Sequence, residues 1–381
     1  MSATEGQLEA PATLSAPDHI TRSNGMIVKV KSAAVHGVDA LPIEVEVDGS
    51  GGTGNLQIVG LPDKAVNEAK ERVRTAICNA GYDFPHQRLT VNLAPADIKK
   101  EGPSFDLPMA VGFLAVSHQV DPDAACRYAM VGELALDGRV RAVSGVLPIV
   151  LELKRRRYRG IIVPEANAVE AGVVEGIEVY PVSHLREVVG LLNGTYIQEP
   201  YVTEISTYMM GDERPSVPDF RDVQGQESVK RAVVVAAAGG HNILMLGNPG
   251  VGKSMIARRI PGILPEMTIE EALETTKVYS TSGKLSKDAP LVCQRPFRSS
   301  HHTISDVGLI GGGATPRPGE VSHAHNGVLF LDELPEFSRK TLEVMRQPLE
   351  DGFATITRAS GSYRFPARFM LVAAMNPCPC G

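Results

Sequence analysis

The run Gly247-Asn-Pro-Gly-Val-Gly-Lys-Ser254 fits the pattern G-x-x-x-x-G-K-[ST] at every position. Each residue type has a task there. Gly247, Gly250 and Gly252 let backbone N–H groups converge on phosphate oxygens, with Asn248, Pro249 and Val251 filling the loop between them. A helix that begins where the loop ends adds partial positive charge at the same point. Lys253 is expected to neutralise the β- and γ-phosphates, and the Ser254 hydroxyl to hold Mg²⁺. Further along, Val328-Leu-Phe-Leu-Asp-Glu333 is an apolar run that ends in two acids. Asp332 is expected to hold the Mg²⁺ through its water shell, and Glu333 to polarise the attacking water. Phe369-Met-Leu-Val-Ala-Ala-Met-Asn376 is another apolar run with a polar end, and Asn376 would orient that water from the side. Alone, either run also suits a strand that stops in a polar turn. Downstream of a phosphate loop, they complete a nucleoside triphosphate site.

The flanking sequence shows the strands and helices that would hold these residues. Ile243 to Leu246 reads as a buried strand before the loop, and Met255 to Ile260 as the helix after it. Apolar strands alternating with helices imply an α/β fold with a parallel sheet, its site at the strands' C-terminal ends. The N-terminal part also alternates strand-like and helix-like segments. Asp63 to Asn79 predicts a helix whose Val66, Ala69, Val73, Ala76 and Ile77 share one face, stopped by Gly81. Leu89 to Leu93 alternates as a strand, Pro108 to Val116 reads as a buried helix, and Ile161 to Val163 as another strand. The expected organisation is a polar, disordered tail over 1–25, an α/β domain over 26–198, an irregular linker over 199–218, and the nucleotide-binding module over 219–381.

Composition narrows the options. A net charge of −6 leaves no global electrostatic footprint for nucleic acid, so any such contact must be local. The longest nearly apolar run, Ala232 to Leu246, is broken by Gly239, Gly240, His241 and Asn242, so no membrane span is expected. An odd, unpatterned set of five cysteines fits a reducing cytoplasm better than a disulfide framework. Met1 to Asn24 has no apolar core of the signal-peptide kind.

Longer runs carry a resemblance. Ile58-Val-Gly-Leu-Pro-Asp63, Val91-Asn-Leu-Ala-Pro-Ala96, Lys100-Glu-Gly-Pro-Ser-Phe-Asp-Leu-Pro108, Pro296-Phe-Arg-Ser-Ser-His-His-Thr-Ile-Ser305 and Asn376-Pro-Cys-Pro-Cys-Gly381 resemble the YifB/ComM family of magnesium-chelatase-like AAA+ proteins from Met26 onwards. The resemblance implies a Lon-protease-like α/β domain followed by a P-loop AAA+ domain, with ATP and Mg²⁺ as ligands. It also implies a homo-hexameric ring with ATP at the subunit interfaces. ComM-type members are helicases that drive DNA branch migration during natural transformation. On that likeness Val223 to Gln226 border the adenine, Asp332 and Glu333 form Walker B, and Asn376 is sensor 1. Family members continue, after the segment matching Gly381, into further cysteines, an arginine-finger segment and a helical lid. Cys378 and Cys380 would be half of a cysteine cluster, and efficient hydrolysis and ring function are not expected of these residues alone. The competing readings are a magnesium-chelatase motor, set against by a Lon-like domain that such motors are expected to lack, and a nucleotide-binding remnant without turnover.

Three segments bear on partners and side activities. Ala354 to Phe365 reads as a hairpin, which the resemblance points into the ring channel, where Arg358, Tyr363 and Arg364 would meet DNA phosphates or bases; a solvated hairpin is the equal alternative. Arg295 to His325 reads as an insertion whose His301, His302, His323 and His325 match no standard zinc spacing. Lys100-Glu-Gly-Pro-Ser104 resembles the segment that carries Lon's nucleophilic serine. Leu147 stands where that family's lysine base belongs, and Lys154 is two helical turns away, so Ser104 lacks a base and a non-proteolytic domain is expected.

Overall fold

The computed structural model describes residues 26–52, 54–210, 217–286, 289–313, 315–358 and 361–378. The tail expected to be disordered, residues 211–216 of the linker and Cys380 lie outside them.

The N-terminal part is built on one mixed sheet. Its strands are β1 (Met26–His36), β2 (Asp39–Ser50), β3 (Leu56–Val59), β4 (Arg88–Ala94), β5 (Ala129–Met130), β6 (Glu133–Leu134), β7 (Val140–Arg141), β8 (Gly160–Pro164) and β9 (Glu178–Val182). Seven of them run in the order β3-β4-β2-β1-β5-β8-β9, while β6 and β7 pair with each other. The β1–β2–β4 portion is antiparallel and the β1–β5–β8–β9 portion parallel. In β2 buried and less buried residues alternate, as a half-covered sheet requires.

Helices α1 (Lys64–Asn79), α2 (Asp106–Val116), α3 (Pro122–Ala125), α4 (Val146–Arg155), α5 (Ala168–Gly172) and α6 (Leu185–Leu192) cover this sheet. The Asp63 side chain caps α1 by accepting from the Val66 N–H at 2.8 Å. Val66, Ala69, Val73, Ala76 and Ile77 are all buried, so the face read from spacing is the packed face. Burying Val73 or Ile77 contributes about 1.5–3 kcal/mol each. Helix α2 is buried all round and contains Asp106, which accepts two hydrogen bonds from Arg72 and one from the Leu134 N–H. Burial pushes the Asp106 carboxyl up from its ordinary range, against the pull of Arg72.

The linker is not wholly irregular. Helix α7 (Ile205–Met210) lies within it, and Ile205, Tyr208 and Met209 pack beside Met267, Ala272 and Leu291. Spacing of three and four residues gives that short helix an apolar side, a signal hidden by the prolines around it.

The second part contains β10 (Ile243–Leu246), β11 (Phe297–Ser300), β12 (Gly311–Gly312), β13 (Arg317–Pro318), β14 (Val328–Leu331), β15 (Phe353–Arg358), β16 (Gly361–Pro366) and β17 (Met370–Met375). Its helices are α8 (Glu227–Gly239), α9 (Lys253–Ala257), α10 (Ile269–Thr281), α11 (Asp306–Ile310), α12 (Glu320–His323), α13 (Arg339–Val344) and α14 (Arg346–Asp351). The main sheet is parallel throughout, in the order β10-β17-β14-β11. Two expectations are corrected here. Strand β10 stands at the sheet edge, and Leu244 and Leu246 share a face that is 57% and 64% exposed, whereas Met245 enters the core. The segment from Arg295 is not simply an insertion, because β11 pairs with β14 as part of the sheet. Among the described residues no helix is long and apolar enough to cross a membrane.

Candidate functional site: a phosphate loop facing an acidic strand end

The phosphate loop joins β10 to α9, and the acids follow β14. Because β17 lies between those strands, Asn376 at its end falls between the loop and the acids. Gly250 and Gly252 have φ of +81° and +91°, the left-handed region that a side chain at either position would strain. Lys253 Nζ donates to Gly247 O at 2.6 Å, to Asn248 O at 3.0 Å and to Asn376 Oδ1 at 2.9 Å. Those three oxygens engage all three ammonium protons. The Ser254 hydroxyl donates to Asp332 Oδ2 at 2.9 Å. Lys253, Ser254, Asp332 and Asn376 are therefore brought together from three strand ends.

Glu333 sits at φ +53° and its backbone N–H donates to Asp332 Oδ1 at 3.0 Å. Its carboxylate lies 3.1 Å from His302 Nδ1, a neighbour that sequence spacing did not single out for it. His302 follows β11, so pairing of β11 with β14 is what aligns the two. The His301 and His302 rings are 4.1 Å apart, and the ligand atoms of His301, His302 and Glu333 lie within 4.8 Å of one another. The four histidines do not converge on one point: His323 is buried against Tyr279 and Ser282, and His325 receives the Arg368 N–H and faces Glu274.

A cleft of about 320 Å³ opens beside the loop, lined by Gln226, Val229, Val233, Leu246, Val251 and Lys253 among others. Gln226 donates to Val251 O at 3.0 Å, which ties the start of α8 to the phosphate loop. Of the stretch expected beside the adenine, Gln226 lines this cleft, whereas Val223 is buried in the core below it.

The hairpin β15–β16 is present, with its turn outside the described residues. Arg358 and Arg364 are exposed; the Arg364 guanidinium covers the Phe353 ring at 3.7 Å and Arg358 donates to Gly313 O at 3.3 Å. Tyr363 is half-buried, its ring 4.5 Å from that of His36.

In the N-terminal domain Leu147 is fully buried in α4, its N–H held by Glu170 at 2.9 Å. Lys100 is fully buried too, its ammonium turned to Pro95 O, and burial lowers its pKa. Lys154 is exposed.

A parallel sheet carrying a phosphate loop, with acids at the end of the strand one place removed and a polar residue ending the strand between, defines a P-loop module of the AAA+ type. The family model described as magnesium chelatase, subunit ChlI, matches residues 219–381, and that described as subunit ChlI of Mg-chelatase matches residues 45–167. The chain is 48% identical to competence protein ComM of Haemophilus influenzae, over 92% of this chain and 69% of the relative. It is 46% identical to the uncharacterized protein YifB of Escherichia coli, over 92% of this chain and 68% of the relative. The chain belongs to the YifB/ComM family of magnesium-chelatase-like ATPases. A more distant likeness, 27% identity over 46% of the chain, links it to Lon protease 2 of Bacillus subtilis. Since the model over 45–167 also carries the chelatase description, the N-terminal domain does not by itself separate the DNA reading from the chelatase reading.

Proposed function

We propose that the chain binds ATP with Mg²⁺ at this site and is the nucleotide-binding part of a homo-hexameric branch-migration motor whose ATP turnover moves branched DNA. The observation that carries the ATP reading is the meeting of Lys253, Ser254, Asp332 and Asn376 at adjoining strand ends. Ser254 and Asp332 offer only oxygen donors, a set that suits a hard cation such as Mg²⁺. When bound, Mg²⁺ supplies charge neutralisation of the phosphate oxygens. Lys253 exchanges its loop carbonyls for phosphate oxygens and keeps Asn376 as a neighbour. Glu333 accepts the hydrogen bond that orients the attacking water. The cleft at Gln226, Val229 and Val233 takes the base.

The DNA half of the proposal is supported by the 48% identity to a protein named for competence and by exposed Arg358 and Arg364 on the hairpin. A chelatase-motor reading is favoured by the descriptions of the two matching family models. ATP turnover measured with four-way-junction DNA, linear duplex and a magnesium-chelatase partner separates them. Stimulation by the junction above the duplex supports the proposal. Stimulation by the chelatase partner alone overturns it.

A further inference from the structure

The tip of the N-terminal sheet rests on the hairpin. The β1–β2 turn, His36-Gly37-Val38-Asp39, closes with His36 opposite Asp39 in register. Gly37 has φ +68°, and a Cβ there would lie 3.7 Å from Arg364 O, so the turn lies against the β16 backbone. On one side of it the His36 ring packs on Tyr363 at 4.5 Å. On the other, Val38 is buried in a cluster with Val278 of α10 and with Ile356 and Phe365 of the hairpin. Asp39 pairs with Lys277 of α10 at 3.0 Å. A second hold on the same helix comes from the Gly145 N–H, which donates to Ser280 O at 3.1 Å, and from Glu170, which accepts from the Ser280 hydroxyl. The opposite side of α10 meets Asn326, whose side-chain amide donates to Thr275 Oγ1 at 3.2 Å just before β14 begins. One helix thus touches the N-terminal domain, the hairpin and the base of the strand that ends in Asp332 and Glu333.

We propose that His36 and Val38 are positioning residues: the β1–β2 turn seats the hairpin, and Tyr363 serves as the docking side chain rather than as a platform for bases. Nucleic acid then meets Arg358 and Arg364, and its pull on the hairpin reaches the acidic strand through α10. The inference rests on the DNA reading for its second half only. The seat itself is a property of this chain without any ligand.

Hydrogen exchange and ATP turnover on the full chain test it, with Val38→Asp, His36→Ala and His36→Phe. The first two are expected to speed exchange of the hairpin amides, 353–358 and 361–365, at least about tenfold relative to wild type, while amides of β14 and β17 keep their protection. Basal turnover stays within about twofold of wild type and junction-DNA stimulation is lost, whereas His36→Phe, which keeps a ring against Tyr363, retains both. Unchanged hairpin exchange in both Val38→Asp and His36→Ala overturns the seat. Faster exchange with full DNA stimulation overturns the positioning role. A wild-type chain without DNA stimulation speaks against the DNA reading, and the exchange result then still decides the seat.

Discussion

Lys253 Nζ lies 2.9 Å from Asn376 Oδ1, although the two residues are far apart in the chain. Pairing of β10 with β17, which sets Leu246 opposite Met375, brings them together. The phosphate loop and Asn376 thus lie at the ends of adjacent strands, and a phosphate held by the first would be within reach of the second.

Asn376→Ala is expected to leave ATP affinity within a few-fold of wild type and to lower kcat by about tenfold, the worth of one charge-assisted hydrogen bond. Steady-state kinetics beside a binding titration check it. An unchanged kcat would count against the sensor role.

Glu333→Gln keeps the shape of the site and removes the carboxylate proposed to orient the attacking water. Turnover should fall by about 10²–10⁴-fold while nucleotide still binds. His302→Ala is expected to lower kcat about tenfold with KM unchanged, because it removes the imidazole that stands 3.1 Å from the Glu333 carboxylate. His302→Asn, able to donate to the same carboxylate, should recover part of the loss.

Leu147→Lys asks whether the N-terminal domain is one residue short of a peptidase. Leu147 is fully buried among apolar neighbours, so a lysine there is expected to destabilise the domain by about 3–5 kcal/mol and yield no casein cleavage. Denaturant unfolding and a peptidase assay read both outcomes.

Burial of His323, with Lys284 nearby, holds its imidazole neutral down to about pH 4, against an ordinary value of 6.5. Its folded pKa is depressed, so the unfolded chain binds more protons between those values and stability falls as pH drops through the window. The loss is on the order of 3 kcal/mol by pH 4. His323→Gln should flatten the stability profile between pH 6.5 and 5, measured by urea unfolding.

What was legible in the sequence was local. The buried face of α1 follows from helical spacing, and β14 from an unbroken apolar run. The phosphate loop is local too, because its chemistry lies in consecutive residues. Sheet position is not. Ile243 to Leu246 is as apolar as an interior strand, yet its edge place leaves Leu244 and Leu246 exposed. Strand β11 hid behind Arg298, Ser299 and Ser300, whose polarity reads as loop until the pairing with β14 is seen. The His302–Glu333 contact and the docking of Tyr363 on His36 depend on that same long-range placement.

Titration of the chain with a fluorescent ATP analogue, with and without Mg²⁺, beside Lys253→Ala shows whether the phosphate loop holds nucleotide. Saturable, Mg²⁺-dependent binding to the wild type is expected, weakened about 10- to 100-fold by the substitution, as for a charged group worth about 1.5–3 kcal/mol. Absent binding, or binding that ignores both Mg²⁺ and the loss of Lys253, would contradict it.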